Sequence, residues 1–181
     1  MDTIYSSTSN SQKSAIKIIR ISGENCQEIP EIFSFKATRP REATLRKIYD
    51  SKKNIIDNAI VIFFPGPSSV TGEDVFEIHI HGSLIIEKKI YDCLAKRKKF
   101  RIAKRGEFTK RAFLNGIIDL TQAEGINDLI NAETENQFKL SLSQYDGDLF
   151  EKFKFWRKDI IFLLSKLEAL IDFSDEELPQ E

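Results

Sequence analysis

The chain has 181 residues, 41% of them hydrophobic and 30% charged, with a formal net charge of −1, and its 8 glycines and 5 prolines exclude a fibrous repeat or a compositionally disordered tail. Apolar runs such as 60–64 and 160–164 fall far short of a membrane span, and the start of the chain lacks the apolar stretch of a secretory signal. Two cysteines, Cys26 and Cys93, are too few for a disulfide framework, so the expected setting is reducing and cytoplasmic, with no membrane partner.

Ala15 to Ile21 is rich in Ile and reads as a buried strand that Ser22-Gly23 ends. Glu24 to Phe33 predicts a short helix limited by Pro30, and Arg39-Pro40-Arg41 an extended connector. Thr44–Tyr49 and Ile55–Phe64 are strand candidates joined by the turn-like Asp50-Ser51-Lys52-Lys53-Asn54, a hairpin pattern. Pro65 to Ser69 continues neither regular structure, and Val75 to Ile80 returns as a strand closed by His81-Gly82-Ser83. Leu84 to Lys96 has helical spacing at 86, 90 and 94, and Phe100–Ile102 is a short strand.

After Gly106 every signal is helical: 107–114, 120–132, then one long helix over about 134–172. The seam of that last segment runs from Phe138 through Leu142, Tyr145, Leu149, Phe153, Trp156 and onward to Leu170 in steps of four and three. A single helix of that length extends roughly 55–60 Å and cannot bury its seam alone. The expected organisation is an α+β domain over 1–118 and an incomplete all-α domain over 119–181.

Charge is segregated along the chain. Residues 88–111 hold eleven Lys/Arg against Asp92 and Glu107, whereas from 119 onward fifteen Asp/Glu face six Lys/Arg. Each block is either an ordinary solvated face or an attractor for an opposite partner, within the fold or on another molecule. The run Lys96 to Lys99 with Arg101, Lys104 and Arg105 has spacings that meet phosphates, yet only Phe100 and Phe108 are interleaved and no RNA-binding or zinc motif accompanies it.

His79 and His81 share one face of a strand, as two metal ligands or, more commonly, as a hydrogen-bonded pair. Glu73, Asp74 and Glu77 form an acidic cluster after the Pro/Gly loop, read either as acid/base or ligand acceptors or as a solvated loop. None of the eight glycines precedes Lys, so there is no phosphate-cradling Gly-Lys-[Ser/Thr] and no GTP or ATP hydrolysis by that route. No G-x-S-x-G element occurs, and neither Cys has a basic sequence neighbour.

Several strings taken together resemble one family. They are Asp2-Thr3-Ile4, Ile18-Ile19-Arg20-Ile21-Ser22-Gly23, Phe64-Pro65-Gly66-Pro67 with Thr71-Gly72-Glu73-Asp74, His81-Gly82, Gly106 to Gly116, and Asp119-Leu120-Thr121-Gln122-Ala123-Glu124. In this order they are similar to the amino-terminal part of the tRNA modification GTPases MnmE (TrmE), and the likeness covers essentially the whole chain. The resemblance implies a folate-binding domain like the aminomethyltransferase of glycine cleavage, followed by the first part of a helical domain. It further implies a homodimer and a flavin-dependent partner, MnmG, with modification of the wobble uridine of tRNA using a one-carbon unit from 5-formyltetrahydrofolate. GTP, potassium and magnesium would belong to a GTPase domain beyond residue 181.

By the same resemblance the formyl-tetrahydrofolate contacts fall on Arg20 and Glu77. A third family position, normally Lys, is Ile117 here, which removes a cation. The usual Gly-rich loop T-P-P-G-x-G-G becomes Ser9 to Ala15, which lacks glycine. These departures favour a second reading, a truncated dimerisation or binding module without cofactor use. A third, an independent folate-dependent methyltransferase, lacks any further catalytic feature.

Overall fold

The computed structural model describes residues 2–8 and 14–172; residues 9–13 of the altered loop and the acidic end after Asp172 lie outside them. The chain divides into two compact units, 1–117 and 118–181. In chain order the first unit contains β1 (Thr3–Ser7), β2 (Ser14–Ser22), α1 (Ile29–Ile32), β3 (Thr44–Tyr49), β4 (Ile55–Phe64), β5 (Val75–Gly82), α2 (Leu84–Ala95), β6 (Phe100–Ile102) and α3 (Glu107–Leu114). The strands form one mixed sheet in the order β3-β4-β5-β2-β1-β6, antiparallel except for the parallel β1–β6 pair. This is the α+β class expected.

Alternation of side chains along each strand decides which face is buried. On β2, Ile19 and Ile21 point into a core shared with Ile48, Val61, Ile78 and Ile80, and α1 and α2 contribute Ile29, Ile90 and Leu94 to it. Each such side chain, fully withdrawn from water, contributes about 1.5–3 kcal/mol. Lys17 shares the inward face: it is fully buried, and its Nζ donates to Glu87 Oε2 on α2 at 2.7 Å. The opposite face is open at the β3–β4–β5–β2 end, where Leu45 (66% exposed), Ile60 (42%) and Ile16 (66%) lie on neighbouring strands.

Two local expectations change. β1 was not anticipated: its five residues carry too little alternation to stand out, and it is held between β2 and β6. The helix expected over 24–33 is a 3-10 turn at Cys26–Glu28 followed by α1, with Pro30 inside the first turn of α1, where the missing N–H costs nothing, rather than ending it.

The second unit contains α4 (Leu120–Ile130), α5 (Glu135–Tyr145) and α6 (Asp148–Asp172). Reciprocal capping boxes start the first two, Asp119 with Gln122 and Thr134 with Gln137. The single helix expected over about 134–172 is therefore corrected to two. Gly147 at φ +92° breaks it, in a backbone region that glycine enters without penalty, and the four-three periodicity continues across the break and conceals it. No helix among the described residues is long and apolar enough to cross a membrane.

Candidate functional site

The register of β2 against β5 sets Arg20 directly opposite Glu77, on the face away from the core. The Arg20 Nε donates to Glu77 Oε1 at 2.9 Å, with the second guanidinium nitrogen at 2.8 Å from the same oxygen. The other carboxylate oxygen, Oε2, is 3.3 Å from His79 Nε2. The two side chains are half-buried, so the pair is shielded without being sealed. The Arg20 guanidinium carbon also lies 5.8 Å from the centre of the Phe108 ring on α3, within cation–π range.

Arg20 is one wall of a cleft of about 350 Å³ whose other walls are Ser6, Ser7 and Thr8 at the end of β1 and residues 103–109 leading into α3. Its lining combines cations (Arg20, Lys104, Arg105), hydroxyls, the flat Phe108 ring and the Glu107 carboxylate, which Arg101 already holds. That volume is at the lower end of small-molecule sites, and the excess of cations beside a flat ring is chemically suited to a polar, partly aromatic, anionic group. Ile117 does not line this cleft. It lies against the loop 71–74, where a Cβ on Gly72, at φ +78°, would come within 3.0 Å of Ile117 Cγ1. Arg20 and Glu77 are thus in contact, and Ile117 forms no polar link to either.

The acidic cluster is resolved into separate structural roles. Glu73 accepts from Arg111 at 3.0 Å on both oxygens and from the Ser22 hydroxyl at 2.7 Å. Asp74 accepts from the Gly66 N–H at 2.9 Å, which fixes the Pro/Gly loop. Only Glu77 faces a cation that also borders the cleft. Arg111, 7% exposed, additionally donates to the Asp2 carbonyl and carboxylate at 2.9 and 2.7 Å. Arg101 pairs with Asp2 and with Glu107, so five charged groups tie the start of β1, the loop and α3 together. Hydrogen bonds from Arg101 hold the Glu107 carboxyl down at about 2, and Arg101 also lowers that of Asp2.

His81 places Nδ1 2.8 Å from Asp57 Oδ1 while its own N–H donates to Asp57 Oδ2 at 2.9 Å. With His79 beside Glu77, each histidine has a carboxylate partner of its own, and no group of three or more metal-ligating side chains occurs among the described residues. Burial pushes the Cys26 thiol up to about 12 and raises that of Cys93, which keeps both protonated and unreactive. Sequence reasoning missed Ser6, Ser7, Thr8 and Phe108 as cleft walls. Of these only Phe108 carried a sequence signal, as part of the Gly106–Gly116 string and as an aromatic interleaved in the basic run.

An α+β sheet unit followed by a helical unit is the class this architecture defines. Residues 3–117 match the family profile described as GTP-binding protein TrmE N-terminus, and 120–181 that of the MnmE helical domain. The chain belongs to the TrmE/MnmE family. It is similar to a tRNA modification GTPase MnmE from Anaplasma marginale (strain St. Maries), 45% identical over 180 residues, covering 99% of this chain and 40% of that protein. Proteins of the same name from Rickettsia bellii (strain OSU 85-389) and Wolbachia sp. subsp. Drosophila simulans (strain wRi) are 43% identical over 182 residues and 46% over 176; this chain is covered to 99% and 97%, and they to 41% and 39%. The chain therefore spans about two fifths of the length of these relatives.

Proposed function

We propose that this chain is the folate-binding, dimerising amino-terminal part of a tRNA-modifying GTPase that acts in the cytoplasm. The observation that carries the reading is the Arg20–Glu77 pair beside the polar cleft, in a chain whose family membership covers both units. The donor set fits a reduced folate. Arg20 can donate two parallel N–H bonds to a carboxylate or a polarised carbonyl, Glu77 can accept the N–H donors of a pterin, and Phe108 offers a face for a planar ring. Ligand binding would exchange the Arg20–Glu77 bond for bonds to the ligand, so both groups keep hydrogen-bond partners in either state. When bound, 5-formyltetrahydrofolate supplies the one-carbon unit.

The open sheet face with Ile16, Leu45 and Ile60 supports homodimerisation, because burying apolar surface of this kind is what a second copy gains. No phosphate-cradling Gly-Lys-[Ser/Thr] occurs in the 181 residues. GTP hydrolysis, with its potassium and magnesium ions, is accordingly assigned to the part of the relatives that this chain does not cover, and MnmG and the wobble uridine of tRNA to the assembled enzyme. One observation favours a second reading, a dimerisation module that has lost cofactor use: Ile117 packs an uncharged side chain against Gly72 where the family carries a cation.

Calorimetric titration with 5-formyltetrahydrofolate separates the two. The first reading expects micromolar binding by the native chain and tighter binding by Ile117→Lys. Absence of binding that Ile117→Lys restores selects the second. Sedimentation of the same sample at twice the 20.8 kDa chain mass is expected in either case, and a strictly monomeric chain contradicts both.

A further inference from the structure

The fold brings together two basic segments that are more than forty residues apart in sequence. Lys96 Nζ donates to Ser51 Oγ at 3.0 Å, which docks the C-terminal end of α2 against the turn between β3 and β4. That turn is rigid: Asp50 Oδ1 accepts from the Lys52 and Asn54 N–H groups at 2.8 Å each, and the Asp50 and Asn54 backbones bond at 2.9 Å. Lys53 sits at its tip at φ +62°, a conformation that favours glycine. Lys52 and Lys53 thereby stand beside Lys89 and Lys96, and the turn after α2 adds Lys98 and Lys99, all six exposed.

These cations are largely unspent. Among the described residues none of the six is in an ion pair; Arg97, in the same turn, is already committed to Glu31 at 3.3 Å. The local carboxylates are Asp50, occupied by the turn backbone and approached by Lys89; Glu31, held by Arg97; Glu24, which feels Lys99; and Asp92. The six are lysines, hydrated point charges that suit a phosphate backbone read without regard to sequence.

We propose that this end of the sheet unit is a docking surface for the tRNA phosphate backbone, met by Lys52, Lys53, Lys89, Lys96, Lys98 and Lys99. The inference rests on the tRNA-modifying reading above and names the part of this chain that touches the nucleic acid. It predicts position-independent electrostatic contact, with no base reading from this surface. An acidic protein partner is the competing occupant.

The test is fluorescence anisotropy of labelled, unfractionated bacterial tRNA with the full chain, at several salt concentrations. Lys52→Glu with Lys53→Glu, and separately Lys98→Glu with Lys99→Glu, are each expected to weaken binding at least tenfold and to lower the slope of log affinity against log salt by about 1.5. The four Lys→Arg replacements keep affinity within about threefold, since charge is retained. Unchanged binding in both reversal pairs overturns the proposal, as does displacement of tRNA by poly-glutamate at equal charge concentration. Folate titration of the same variants tells the failures apart. Folate binding with tRNA binding insensitive to the reversals sinks this surface alone; loss of both ligands by the native chain sinks the underlying reading too.

Discussion

The two units use apolar residues in opposite ways. In the sheet unit, Ile19, Ile21, Ile48, Val61, Ile78, Ile90 and Leu94 are withdrawn from water completely. In the helical unit only Gly125 and Ser141 are buried among the described residues, and α6 exposes Phe155, Trp156, Ile160, Leu163 and Leu164 by half or more. The sheet unit holds its site on a packed scaffold, as a precisely placed ion pair requires. The helical unit derives its order from caps and local hydrogen bonds and presents a wide apolar surface that these residues do not cover. A site that depends on fixed geometry suits the first, whereas the second leaves along α6 an apolar surface of the kind that a partner covers.

The contrast can be broken most severely at Arg111. Arg111→Ala leaves the largely buried Glu73 without its cation, while the more exposed Asp2 keeps Arg101, so we expect a loss of about 3 kcal/mol, read from the urea midpoint of the sheet unit. Ile78→Ala opens a cavity in the core and is expected to cost about 3 kcal/mol by the same measurement. A loss below about 1 kcal/mol for either would remove the distinction between the units.

The acid limb of stability sharpens it further. The Glu107 carboxyl is depressed to about 2 in the fold by Arg101, so as pH falls the unfolded chain takes up that proton first. The stabilisation is complete above the ordinary glutamate range and is lost as pH falls from about 5 toward 2. Glu107→Gln should therefore flatten this part of a thermal-melt series against pH and leave the neutral region lower. A steeper acid limb in the variant would contradict the assignment. The smallest effect belongs to α6: Leu163→Ala, at a side chain 65% exposed, is expected to change stability by no more than about 0.5 kcal/mol.

Much of this architecture was legible because local chemistry carried it. The strand patterns of Ile55–Phe64 and Val75–Ile80 and the helical spacing from Leu84 to Lys96 each report a local energetic preference. What escaped was either too short or too distant. β1 is stabilised by its neighbours rather than by its own pattern, and the break at Gly147 is hidden inside a continuous apolar period. Of the site, Arg20 and Glu77 were named from family likeness, but their contact is a matter of register between strands 57 residues apart in sequence. The Arg111 network and the convergence of Lys52–Lys53 on α2 are likewise products of tertiary packing that no sequence spacing encodes.

The central claim is tested most directly by measuring 5-formyltetrahydrofolate affinity for the native chain, Arg20→Ala and Glu77→Gln, alongside their unfolding midpoints. We predict at least a tenfold loss of affinity in each variant, with a change in stability of about 1 kcal/mol or less because both groups are partly solvated. Affinity in the variants equal to that of the native chain would contradict the account, and would move any folate site away from the Arg20–Glu77 pair.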